Sequence, residues 1–173
     1  RCAVAYRWSD KKARHLKLVL GSEPKHKHFR EANGAKALAT CFFVPPTRVS
    51  DRNVFLTTSD TAEPWFVAAY LAAIRRFAEL TEAELPGHAL LAATTAQVMG
   101  VEAEHQALLR EMNGLAPSNY VLKQALFYNT SEVGPLFSPF LNGGNGFAGP
   151  AAFPGVDAIT ALAGSDGVQA TAP

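Results

Sequence analysis

Two short motifs in this sequence pair a carboxylate with an imidazole three residues away. They are Glu23-Pro24-Lys25-His26 and Glu102-Ala103-Glu104-His105. Residues three apart share one face of a helix, so each pair can aim both groups at one point. Glu63 lies about midway between the motifs, 40 residues after Glu23 and 39 before Glu102. Each gap is about one helix plus a connection. This mix of groups suits metals: carboxylates bridge two cations and neutralise them, and imidazole caps each metal and leaves positions for oxygen or peroxide. A single such motif also occurs on ordinary solvated helices, so the repeat carries more than either copy. Around the second motif, Val98, Val101, His105, Leu108, Leu109 and Met112 form an apolar stripe with Glu102 beside it. A plainer reading makes His105 a half-buried histidine satisfied by a neighbour, with Glu102 at the rim.

The elements that would position these groups follow from periodicity and punctuation. Residues 11–39 read as helical, interrupted from Gly21 to Pro24. Residues 40–59, with Pro45-Pro46 and a β-branched run, read as a loop with a short extended piece. Asp60 or Thr61 opens the next helix, to about residue 80, through Trp65, Phe66, Ala69, Tyr70, Ala73, Ile74 and Phe77. Asp60 with Glu63 makes a capping-box arrangement, and Pro64 then falls in the first turn, where proline costs least. Pro86-Gly87 breaks the chain. A third helix spans 88–113, closed by Gly114 and Pro117. Short connections favour antiparallel neighbours.

From Gly134 the composition changes, with eight of the thirteen glycines and five of the eleven prolines in 134–173. That segment reads as an irregular arm. Phe137, Phe140, Phe147 and Phe153 should order it by contact with the bundle or with another subunit. The organisation expected is a helical bundle over 1–133 and an extension over 134–173.

The helix around the second motif resembles the last bundle helix of exported ferritin-like domain proteins, a group that includes plant desiccation-related stress proteins. The resemblance runs from Ala92-Ala93-Thr94 through Gly100-Val101-Glu102-Ala103-Glu104-His105-Gln106-Ala107-Leu108-Leu109-Arg110. Glu63 to Tyr70 resembles that family's third helix, where a Glu precedes a Tyr by seven, and Glu23-x-x-His26-x-x-Phe29 with Gly34 resembles its second. About residues 12–115 are covered. The resemblance implies an all-α, ferritin-like antiparallel bundle and a site for two iron or manganese ions. Its ligands would be Glu23, His26, Glu63, Glu102 and His105, with Tyr70 near enough to pass an electron. It also implies an exported protein. The family's first-helix Glu has no counterpart upstream of Glu23, where only Asp10 is acidic, so a missing N-terminal segment is expected. The prolines after Glu23 and Glu63 also depart from the pattern.

Two functions remain open on these residues. One is a two-metal oxidase or peroxidase. The other is a metal-free ferritin-like subunit of a larger assembly, joined to other proteins through the C-terminal arm. The net charge of +1 divides into +8 over residues 1–52 and −7 over 53–173. No nucleic-acid motif accompanies the basic part, whose aromatics include Tyr6 and Trp8, so no nucleic-acid partner is expected. No apolar run approaches the roughly 18 residues of a membrane helix. Cys2 and Cys41 fit no zinc spacing and could form one disulfide. Asn129-Thr130-Ser131 is a lone sequon.

Overall fold

A computed structural model describes residues 9–118 and 121–164. The expectations for Cys2, Tyr6 and Trp8 lie outside the described residues. The fold class is as read: mostly helical, with α1 (Asp10–Ala32), α2 (Pro46–Ser50), α3 (Arg52–Glu79), α4 (His88–Met112), α5 (Val133–Asn142) and α6 (Val156–Ala163). Two short strands, β1 (Cys41–Val44) and β2 (Ala148–Ala152), are the strands among the described residues. No described helix is long and apolar enough to cross a membrane.

The chain divides into two compact units. One comprises Pro45–Pro139; the other comprises residues up to Val44 together with those from Phe140 on.

The Pro45–Pro139 unit is built on a helical hairpin. Asp51 caps α3, its carboxylate accepting from the N–H groups of Asn53 at 2.8 Å and Val54 at 3.1 Å. Helix α3 thus starts well before Asp60, and the expected cap at Asp60 is corrected. Thr58 and Thr61 are accommodated because their hydroxyls donate to the carbonyls of Val54 and Thr57. Pro64 lies inside the helix, not in its first turn. Gly87 then turns the chain with φ 77°, a conformation open to glycine at no steric cost, and α4 begins. The two helices are antiparallel. The end of α3 meets the start of α4, where His88 Nδ1 lies 3.0 Å from the Phe77 carbonyl oxygen. The start of α3 faces the end of α4, where the Arg110 and Lys123 charges act on Asp60. A second patch of core joins Ala68 and Ala72 of α3 to Phe127, with Val133 and Leu136 packed against it. Phe137 stands edge-on to Trp65 at 5.9 Å and tilted over Phe66 at 5.1 Å.

In the other unit, α1 runs unbroken through Pro24, which corrects the expected interruption at Gly21–Pro24. Helix α6 packs on α1 and buries Ile159 and Ala163, one turn apart. Strands β1 and β2 pair antiparallel, Cys41 with Ala152 and Val44 with Ala148. The described part of the C-terminal segment, up to Gly164, is therefore not the irregular arm its composition suggested. It holds two helices and a strand, and its phenylalanines make ring contacts, Phe140 with Phe147 and Phe153 with Phe42. Gly149 sits so close to β1 that an added Cβ would come 2.8 Å from the Phe42 carbonyl oxygen and 3.0 Å from the Phe43 ring. Gly149→Ala should therefore lower stability by about 1–3 kcal/mol, the usual range for overpacking. Chemical denaturation checks this, and an unchanged midpoint would refute the close approach.

Candidate metal centre

Helix α4 carries the most buried of the polar groups. Val98, Glu102, His105, Leu109 and Met112 are its buried positions towards the C-terminal end, spaced by four, three, four and three. That is one helical stripe, and Glu102 lies in its centre, not at its rim. Glu102 and His105 keep only 2 % and 3 % of their surfaces exposed. The imidazole Nδ1 lies 3.1 Å from the carboxylate Oε2, so an Nδ1–H tautomer donates directly to it. Burying either group without a partner would cost several kcal/mol, which the pairing offsets.

Glu63 is buried on α3, with Val67 following one turn later on the same helix. Its electrostatic partner includes Arg48 of α2. Burial pushes the Arg48 guanidinium below its ordinary pKa, and the Glu63 charge raises it in part. Arg48 also donates to the Ser59 hydroxyl at 3.3 Å. Sequence reasoning missed Arg48. Its only signal was a cation beside Pro45-Pro46, in a segment read as loop. Tyr70 is half-buried on α3, two helical turns beyond Glu63.

Within the Pro45–Pro139 unit the structure therefore joins Glu102 to His105 and sets Glu63 against Arg48. Among its described residues, no three metal-ligand side chains have donor atoms within 4.8 Å of one another. In the other unit, Glu23 and His26 share α1. Their carboxylate and imidazole stand 3.9 Å apart, with His26 buried and Glu23 partly exposed. The first motif thus keeps its one-face geometry despite Pro24. The Ser22 hydroxyl donates to the Val19 carbonyl at 2.9 Å, and the helix continues past the proline.

Asp60 has a separate environment. Burial raises its carboxyl pKa, against the lowering effect of the Arg110 and Lys123 charges. Lys123 Nζ donates to Gln106 Oε1 at 2.8 Å, and Arg110 Nε donates to the Ala116 carbonyl at 2.8 Å. These two bonds tie the segment after α4 back to the helix.

The Glu102–His105 separation admits two chemistries. It is a hydrogen bond as it stands. Equally, an oxygen and a nitrogen each about 2.1 Å from one ion, at 90–110° to each other, are about 3.0–3.4 Å apart. The donor set, one carboxylate and one imidazole shielded from water, fits a first-row transition metal. No family model, curated protein or solved structure matches this chain.

His105→Ala removes the imidazole and leaves the Glu102 carboxylate buried. In metal-free protein it should cost about 3 kcal/mol, the scale for breaking a buried pair. His105→Ala with Glu102→Leu should recover part of that loss. Urea denaturation of both variants measures it. A double variant no more stable than the single one would show that the pair's charge is not what matters.

Proposed function

We propose that this chain is a ferritin-like protein that binds a transition metal through buried carboxylates and imidazoles, with Glu102 and His105 as the anchoring pair. The observation that carries this reading is the 3.1 Å separation of two nearly inaccessible groups in the middle of an apolar stripe. Glu23, His26 and Glu63 enter as further ligands on the strength of the sequence resemblance. So do a complement of two iron or manganese ions, an exported location and association with other subunits. Bound metals of this kind would supply a redox centre at which dioxygen or peroxide is reduced. The residues of the chain would hold the ions, keep water from them and, through Tyr70, pass an electron.

A second reading, a metal-free structural subunit, is favoured by Arg48. A guanidinium whose charge already acts on Glu63 does part of the work a cation would do there. It would also repel an incoming ion.

Anaerobic titration of the metal-free protein with iron(II) and with manganese(II), read by calorimetry, separates the two. The metal reading expects saturable binding that Glu102→Gln with His105→Ala weakens by at least about 100-fold, since even outer partners of metal ligands are worth about 10–100-fold. It also expects Arg48→Met to tighten binding by removing a competing charge. Absence of saturable binding in both native and Arg48→Met protein would leave the structural subunit as the function.

A further inference from the structure

We propose that a cleft between the last turns of α3 and residues 128–131 binds a phosphate group, either inorganic phosphate or the phosphoryl end of a small phosphomonoester. The cleft uses none of the residues of the carboxylate–imidazole site. Its volume is about 210 Å³, and Ala72, Arg75, Arg76, Tyr128, Thr130 and Ser131 are among its lining residues. Pockets for drug-sized ligands run to about 300–1,000 Å³, so this one suits a small ion or a short substituent and not a nucleotide.

The donors are of the right kind and are only partly used by the protein. Arg75 gives its Nε to Glu79 at 2.8 Å, and Arg76 approaches the same carboxylate at 3.9 Å. That leaves the terminal nitrogens of Arg75 for another acceptor. Among the described residues, the hydroxyls of Tyr128, Thr130 and Ser131 donate to nothing in the chain. Asn129 is different, because its amide nitrogen is committed to Glu132 Oε1 at 2.9 Å. Two guanidinium groups and three hydroxyls can meet the several oxygens of a tetrahedral anion, and guanidinium forks match phosphate in pairs. A simple carboxylate, with two oxygens, would leave some of these donors unused.

Glu79 and Glu132 are the acidic groups beside these donors. Arg75 and Arg76 against Glu79 leave the lining with one positive charge at neutral pH. With the guanidinium groups more than half exposed, binding should be weak, on the order of millimolar, and should weaken as salt is added.

The test is an NMR titration of the full chain at low salt with inorganic phosphate, then with glycerol phosphate. The expected result is saturable shifts at the Arg75 and Arg76 side chains and the Thr130 and Ser131 amides. Arg75→Gln with Arg76→Gln should weaken binding at least tenfold, and Thr130→Val with Ser131→Ala a few-fold. Saturation by phosphate with no gain from the ester assigns the free ion, and tighter binding of glycerol phosphate assigns the monoester. Both arginines are surface residues, so an unchanged amide spectrum should accompany the loss. Non-saturating drift, or shifts that persist in the double arginine variant, would overturn the proposal.

Discussion

A carboxylate and an imidazole buried in an apolar stripe must either answer each other's charge or share a cation. Glu102 and His105 meet this demand on α4 within the Pro45–Pro139 unit. Their spacing of three makes the pairing local, so helix geometry alone brings the two groups together. Leu109 and Val98 on the same stripe then shield them. The shielding strengthens the interaction, because a lower local dielectric makes each charge and dipole count for more. The same shielding makes any unanswered charge costly, so neither residue is free to vary alone.

The hairpin that carries this stripe depends on fewer devices than its length suggests. Asp51 fixes where α3 begins, and Gly87 fixes where the chain turns. At one end of the antiparallel pair the Phe77 carbonyl meets His88, and at the other the Arg110 charge acts on Asp60. Pro64 should have ended α3. It removes an N–H that would bond to the Asp60 carbonyl and crowds that carbonyl, at a cost of about 3 kcal/mol in an isolated helix. Here the helix persists because Leu56 on one side of the proline and Val67 and Ala68 on the other are all buried. Packing over two flanking turns outweighs one local break.

That balance also explains how much was legible in the sequence. Helix α4 could be read nearly to the residue, because its periodicity, its Pro-Gly start and its Gly stop all agree. The one-face geometry of Glu23 with His26 and of Glu102 with His105 was legible too, since spacing fixes it. Where a strong local signal opposed a tertiary one, the local signal misled. Pro64 displaced the start of α3 to Asp60, and Pro24 suggested a break in α1. In the C-terminal segment, glycine and proline read as an irregular arm ordered by contact, although Gly149 and Gly143 leave room for Phe43, which lies against them. Composition cannot distinguish a glycine that loosens a chain from one that lets another segment approach.

Arg48 is the residue on which the character of the site turns, and it carries no motif. Even a half-buried guanidinium is costly, and the downward pull of burial on its pKa expresses that cost. Glu63 offsets it, and the Ser59 hydroxyl satisfies part of the fork. The arrangement is therefore reciprocal: Glu63 tolerates burial in part because Arg48 is near, and Arg48 because Glu63 is. A guanidinium stays protonated around neutral pH, so this cation does not leave by losing its proton there. An ion arriving at Glu63 would have to displace the guanidinium or share the carboxylate with it. Glu102 and His105 face no such cationic competitor from within their own pair. On the proposed metal-binding reading, affinity in the Pro45–Pro139 unit begins at Glu102 and His105 and reaches Glu63 only as Arg48 yields.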